Sequence, residues 1–254
     1  MVTGKNRIRR AFAGAVTSYD AAAVVQRKVA ECLLEGIAGT VFPDRILDLG
    51  AGTGHGQGLL CRRWPGAAKL ALDMALPMLV HGRHGKALRI CGDAESMPLA
   101  SETIGFVWSN LSMQWCDPQK FLSEVGRMLY PGGEFVISTL GPQTFAELRS
   151  AFSGIDSYSH TLRFRTHDYL LEAIAKAELS LSEHMRLTIT SFHPNLRSLL
   201  SEVRGVGASN VTHKGRSGLM GKSAWNAFVT TYEKQRGVLG IPLSYDVALY
   251  YGRR

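Results

Sequence analysis

Three glycines at alternate positions behind an acid, Asp48-Leu49-Gly50-Ala51-Gly52-Thr53-Gly54, are the residues of this chain best suited to hold a ligand. Backbone without a Cβ approaches a bound molecule where any other residue collides. The apolar Ile46-Leu47 before them reads as a buried parallel strand entering a tight turn. A nicotinamide or flavin dinucleotide site asks for G-x-G-x-x-G or G-x-G-x-x-A. Counting from Gly50, Gly52 or Gly54, the sixth position is His55, Gln57 or Leu59, so that fingerprint fails. No G-x-x-x-x-G-K-[ST] occurs, which argues against a P-loop. A glycine-rich turn in some other α/β sheet remains the alternative at this point.

Two further acids follow the same pattern. Lys69-Leu70-Ala71-Leu72 ends in Asp73, about one βαβ unit downstream, where a strand-end carboxylate takes two ribose hydroxyls. Asp73 also suits a helix N-cap, and both roles can hold at once. Leu88-Arg89-Ile90-Cys91 leads into Gly92-Asp93-Ala94-Glu95. Three strands each ending in an acid beside a turn describe a crevice at the carboxyl ends of a parallel sheet, where such sheets bind ligands.

The elements that position these residues alternate regularly. Ile8, Phe12, Ala15 or Val16, and Tyr19 recur at helical spacing, which is preferred to a transit peptide for the basic N-terminus. A second amphipathic helix is predicted from Asp20, as its cap, to Gly39. Helices are predicted from Gln57 to Trp64, from Pro77 onward, and from Pro118 to Leu129. A fourth strand runs Ile104 to Asn110, Tyr130-Pro131-Gly132-Gly133 reads as a turn, and a fifth strand runs Glu134 to Thr139. Five strand–helix alternations imply a parallel doubly wound sheet. After Leu140 the rhythm breaks into helices at Gln143 to Phe152, Asp168 to Ala177, Pro194 to Gly207 and Lys222 to Gln235. Short strands at Leu187 to Thr190 and Tyr245 to Tyr250 interrupt and close them. The inserted helical stretches are expected to form a lid over the ligand cleft.

At 254 residues the chain is expected to be one domain. Residues 1–40 would form N-terminal helices, 41–140 the ligand-binding half, and 141–180 and 192–240 the lid and substrate insertions. A net charge of +8 favours an acidic partner: nucleic acid, an anionic membrane or an acidic carrier protein. No RNA-binding signature accompanies it, so nucleic acid is not expected. No apolar run approaches the roughly 18 residues of a membrane span. Cys32, Cys61, Cys91 and Cys116 form no C-x-x-C and follow no secretory signal. They read as reduced thiols of a cytoplasmic protein, with Cys91 and Cys116 as small buried hydrophobes. No metal site is expected.

Acid-x-Gly-x-Gly-x-Gly resembles the first motif of class I S-adenosylmethionine-dependent methyltransferases. The likeness becomes narrower along the chain. Ala11-Phe12 with Ser18-Tyr19-Asp20, Leu47 to Gly54, Gly92 to Glu95, Ser109-Asn110-Leu111-Ser112-Met113-Gln114-Trp115-Cys116, Arg127 to Gly133, Ser138-Thr139-Leu140-Gly141-Pro142 and Gly207-Ala208-Ser209-Asn210 resemble BioC-type malonyl-[acyl-carrier protein] O-methyltransferases of biotin synthesis. Ser109 to Cys116 and Ser138 to Pro142 are the discriminating stretches. The chain departs from that pattern at Ala51, where many relatives have cysteine, and at Met74-Ala75, where a leucine-serine pair is usual.

The resemblance implies a Rossmann-like, seven-stranded, mostly parallel sheet and S-adenosylmethionine as cofactor. Asp48 would reach the cofactor's amino group, Gly50, Gly52 and Gly54 would hold its methionine part, and Asp73 with Met74 its ribose. Asp93 with Ala94 would hold the adenine, and Asn110 backbone or cofactor. Tyr19 would close over the methionine end, and Gln114 and Trp115 would face the substrate; core packing is the alternative for Tyr19 and Trp115. The implied reaction is methylation of the free carboxylate of a malonyl thioester, on an acidic acyl carrier protein or coenzyme A. That carboxylate is ionised at neutral pH, so no general base is needed. Arg163, Arg204 and Arg216 are candidates to clamp it, and His55 reads as cleft lining. Rival functions are methylation of another small carboxylate or quinone-type acceptor, and a methyltransferase-like assembly factor of respiratory complex I. Oligomeric state is open, with a monomer expected.

Overall fold

The computed structural model describes residues 4–39, 41–206 and 220–254. The chain opens with three helices, α1 (Gly4–Ala15), α2 (Tyr19–Ala22) and α3 (Val24–Glu35); α2 and α3 stand in place of the single helix predicted from Asp20 to Gly39. The break falls at Ala23, whose φ of −78° and ψ of 42° lie outside the helical region. Asp20 is not a cap here. Its carboxylate accepts the Thr53 hydroxyl and its carbonyl accepts from the Arg27 guanidinium, so the N-terminal helices are tied to the glycine turn.

There follow β1 (Arg45–Leu49), α4 (His55–Arg63), β2 (Ala68–Asp73), α5 (Leu76–His81), β3 (Leu88–Cys91) and β4 (Ile104–Ser109). A 3-10 turn at Met113–Trp115 leads to α6 (Pro118–Met128), β5 (Leu129–Leu140), α7 (Ala146–Phe152) and α8 (His167–Lys176). The remainder is β6 (Ser180–His193), α9 (Leu196–Gly205), α10 (Lys222–Glu233) and β7 (Ile241–Arg253). The strands form one sheet in the order β3-β2-β1-β4-β5-β7-β6. β1 to β5 pair in parallel, and β7 runs antiparallel to both β5 and β6. The chain moves outward from β1 to β3, then returns to place β4 on the other side of β1. That switch point opens a crevice at the carboxyl ends of β1 and β4.

Alternate residues of the central strands feed two cores. Ile46, Phe106 and Trp108 pack toward α3 and α4, while Leu47, Leu49 and Val107 pack toward α6 and α8. Asp48 shares the Ile46 face and pairs in register with Trp108. α6 starts where it does because Asp117 accepts the Gln119 and Lys120 N–H groups and Pro118 fills its first position. This fixes the 3-10 turn that carries Gln114 and Trp115.

Three expectations are corrected. Tyr130-Pro131-Gly132-Gly133 lies inside β5, where pairing with β4 jumps from Ile104–Leu129 to Phe106–Glu134. Gly132 takes a φ of 81° there, so the extra residues form a bulge. β6 spans 14 residues, far more than Leu187 to Thr190. Cys91 is exposed, because β3 is an edge strand.

Candidate active site

Past Leu49 the chain turns through Gly50, Gly52 and Gly54 at φ values of 79°, 53° and 89°, all in the left-handed region that favours glycine. The Gly50 and Ala51 N–H groups both donate to the Leu72 carbonyl, at 2.8 and 3.0 Å, which holds the turn against β2. A Cβ at Gly50 would sit 2.3 Å from Ser112 Cβ, and one at Gly54 would sit 2.6 Å from the Arg83 carbonyl oxygen. At Gly52 nothing lies nearer than the Tyr19 ring at 3.9 Å, so this glycine keeps open space for a ligand. Asp73 Oδ2 accepts the Gly52 N–H at 2.9 Å and Oδ1 accepts the Ala75 N–H at 2.8 Å. Burial pushes its pKa up, against the pull of those two bonds. Each oxygen keeps a further lone pair for a hydroxyl.

One cleft brings together Tyr19, Gly50, Gly52, Asp73, Met74, Asp93, Ala94, Asn110 and Trp115. Asp48 and Gly54 line an adjoining pocket instead, with Asp20, Arg27, His55 and Trp108. The two spaces share Tyr19, Gly50, Gly52 and Asn110. The pocket's inner wall is polar. Gln57 Nε2 donates to Asp48 Oδ2 at 3.2 Å, and burial pushes the Asp48 carboxyl up to about 7. Trp108 Nε1 and Gln57 Oε1 are buried without a partner. A Cβ at Gly56 would meet Trp108 Nε1 at 2.9 Å and Asp48 Oδ2 at 3.0 Å. A carboxylate and an unpaired N–H therefore border the same point. Burial, reinforced by Arg27, pushes the His55 pKa down.

The roof of the cleft is α1, which contributes Lys5, Ile8 and Phe12. Among the described residues, no side chain from 141–180 or 192–240 lines it. Lys5 Nζ reaches Asp93 Oδ2 at 2.5 Å and Glu95 Oε2 at 2.8 Å, latching α1 across the cleft. The helical spacing of Ile8 and Phe12 was visible in the sequence; the surface they pack against was not. Asn110 is occupied at both ends, Nδ2 donating to the Gln26 carbonyl and Oδ1 accepting the Ser138 hydroxyl. Beside it Leu111 takes a φ of 49°, a conformation costly for a branched residue. Ser138 holds its N–H and Gln114 Nε2 donates to its carbonyl at 2.6 Å.

A second chamber, of about 70 Å³, meets the cleft at Phe12, Tyr19, Leu111 and Trp115. Phe12 contacts Tyr19 at 6.4 Å between ring centroids and Trp115 edge-on at 5.3 Å. Burial, then Asp73, pushes the Tyr19 hydroxyl up, so it stays protonated. Gln114 belongs to this chamber and accepts the Thr139 hydroxyl through Oε1 at 3.2 Å. The inserted segments line it, through Phe145, His160, Phe164 and Val203. Gln114, Trp115 and Phe164 also border an open trough of about 860 Å³, along which lie Arg7, Arg163 and Arg165. Arg204 is exposed and donates to the Leu200 carbonyl of its own helix, so it clamps nothing in the chamber. Arg216 and the Gly207 to Asn210 segment lie outside the described residues. Cys116, in the cleft wall, is pushed up to about 12 by burial, then by Glu95 and Asp93, which leaves an unreactive thiol.

Residues 47–137 match the family described as a methyltransferase domain. The malonyl-[acyl-carrier protein] O-methyltransferase of Dechloromonas aromatica is 36% identical over 98% of this chain and 95% of its own length. The biotin biosynthesis bifunctional protein BioHC of Cellvibrio japonicus is 37% identical over 97% of this chain and 49% of its own length. Geranyl diphosphate C-methyltransferase from Streptomyces coelicolor, 18% identical, superposes with a TM-score of 0.54 over 89% of this chain and 78% of its own, which speaks for the fold alone. Similarity at this level along nearly all of both chains, over a glycine-turn cleft of this geometry, means that the protein belongs to the malonyl-[acyl-carrier protein] O-methyltransferase family.

Proposed function

We propose that the protein methylates the free carboxylate of a malonyl thioester carried by an acidic acyl carrier protein, using S-adenosylmethionine, as a step toward the pimeloyl chain of biotin. The observation that carries this reading is the continuity of trough, chamber and cleft through Gln114, Trp115 and Tyr19. A thioester arm lying in the trough brings an acyl end to the chamber, across the aromatic wall from the cofactor cleft.

The residues present fit the cofactor. The space a Gly52 Cβ would take, the strand-end Asp73, and the Asp48 carboxylate on the wall of the adjoining pocket supply room, a hydroxyl acceptor and an ammonium acceptor. When bound, S-adenosylmethionine supplies an electrophilic methyl carbon; the carboxylate oxygen bonds to it while the C–S pair stays on sulfur, with no proton transferred. The protein's part is positioning and exclusion of water. Phe12, Tyr19 and Trp115 wall the junction, and Gln114 lines the chamber beside it. The cytoplasm is the fitting compartment; no helix among the described residues is long and apolar enough to cross a membrane.

Labelled S-adenosylmethionine offered with malonyl-carrier protein, malonyl-coenzyme A and acetyl-carrier protein tests the reading. Label is expected in the malonyl thioesters alone, and its absence from all three would overturn the reading. Arg163 and Arg165 are exposed on the trough. Charge reversal of both is expected to raise KM for the carrier-protein substrate about tenfold at low salt, with kcat unchanged and the effect fading as salt rises. Malonyl-pantetheine, which has no phosphate, is the control and should respond little.

A further inference from the structure

A malonyl thioester differs from an acetyl thioester by one carboxylate, and a carboxylate entering an apolar chamber needs a charged hydrogen-bonding partner. The chamber is walled largely by Phe145, Leu148, Leu162, Phe164, Val203 and Val206. None of the three arginines considered from sequence is among its described lining residues. Arg163 faces the trough and a neighbouring pocket. Among the described lining residues, one basic side chain is present, His160.

His160 is held as a recognition group should be. Its Nε2 lies 2.7 Å from Asp156 Oδ1, with the two side chains only 16% and 12% exposed. Asp156 Oδ1 also accepts the Tyr158 N–H at 3.0 Å, which fixes the carboxylate. The imidazole lies flat on Phe152, 3.6 Å between centroids and 7° between planes. Phe152 in turn stacks on Phe228 at 4.1 Å and 11°. One ring face and one nitrogen are thereby engaged, by Phe152 and Asp156, and no hydrogen bond from the described residues reaches Nδ1. A proton there makes an imidazolium between two carboxylates, one from Asp156 and one from the acyl group. An acetyl group offers no such acceptor, so the ring that welcomes malonyl gains nothing from acetyl.

We propose that His160, oriented by Asp156 and stacked on Phe152, recognises the malonyl carboxylate and sets the preference for malonyl over acetyl thioesters. This rests on the malonyl-thioester reading above. Calorimetric titration of malonyl-coenzyme A and acetyl-coenzyme A into the full chain loaded with S-adenosylhomocysteine tests it, beside methyl-transfer assays. The wild-type protein should favour malonyl by about 10- to 100-fold, the range of one ionic hydrogen bond. His160→Phe keeps the stack and loses the nitrogens. It should bring that ratio to within about threefold, with acetyl-coenzyme A and S-adenosylhomocysteine affinities unchanged and the loss of turnover mostly in KM. A merely structural role would weaken both thioesters together. Should His160→Phe fold poorly, His160→Gln and Asp156→Asn carry the same test; Asp156→Asn keeps the ring and should reduce the ratio partway. An unchanged ratio in a folded variant, with wild-type protein methylating malonyl thioesters, overturns the assignment to His160. A wild-type protein that methylates no malonyl thioester overturns the functional reading itself.

Discussion

Asp73→Ala is expected to weaken S-adenosylmethionine binding at least a hundredfold, measured by calorimetry, and to lower kcat/KM for the cofactor in step. The carboxylate already accepts two backbone N–H groups, from Gly52 and Ala75, so it is aimed before any ligand arrives. Two hydroxyls bonded to a charged acceptor are worth about 1.5–3 kcal/mol each. Their joint loss of roughly 3–6 kcal/mol exceeds two decades of affinity. The substitution also leaves the Gly52 N–H without its acceptor, at the one turn glycine whose Cβ position is open to the cleft. Asp73→Asn keeps the shape but turns one acceptor into a donor facing a backbone N–H. It should fall between, at about 10- to 30-fold. Wild-type affinity in Asp73→Ala would remove Asp73 from the cofactor site.

Asp48→Asn should act in opposite directions on stability and on binding. The folded carboxyl titrates at about 7 because it is buried, whereas an exposed aspartate titrates near 3.9. Between those values the folded state holds the extra proton, so the stability this group contributes is full below about pH 4 and is lost as pH rises to about 7. Above that, a buried anion costs the ligand-free protein about 2–4 kcal/mol. Asparagine carries no charge and still accepts from Gln57. The ligand-free variant should therefore melt about 5 °C or more above wild type at pH 8, with the gap closing toward pH 4. Its affinity for S-adenosylmethionine should drop about tenfold or more if Asp48 is, as proposed, the partner of the cofactor's ammonium. A melting temperature lowered at pH 8 would show that the carboxylate is already compensated in the ligand-free protein.

The half of the fold that binds the cofactor was legible because β1, β4 and the middle of β2 are buried, while the exposed edge strand β3 was read from its composition alone. Apolar runs ending in Asp48 and Asp73 cannot be read as solvated segments. β6 was mostly hidden because it is an edge strand, and Ser182, Glu183, His184 and Arg186 give it the composition of a loop. Pro131 and Gly132 signalled a turn truthfully, yet sheet pairing on both sides absorbed it as a bulge. Asn110 was found by its place after β4, although its bonds are to Gln26 and Ser138. Lys5, Phe12 and His160 were missed as site residues for one reason: each is a single side chain on a segment remote in sequence. Periodicity tells that Phe12 has an apolar face and says nothing of what that face meets. For His160 the usable signal was Asp156 four residues earlier, a weak one outside a helix.

The position of β7 bears on how the protein is made. β7 leaves the ribosome after β6, yet it lies between β5 and β6 and supplies the antiparallel partner of each. Until it emerges, β5 shows a free flank and β6 has no ladder at all. The nascent chain thus carries two unfinished strand edges through the synthesis of α9 and α10, the form in which sheets recruit other chains. Slow decoding anywhere between β6 and β7 would lengthen that exposure and raise the demand for chaperones, with no change in the finished molecule's stability.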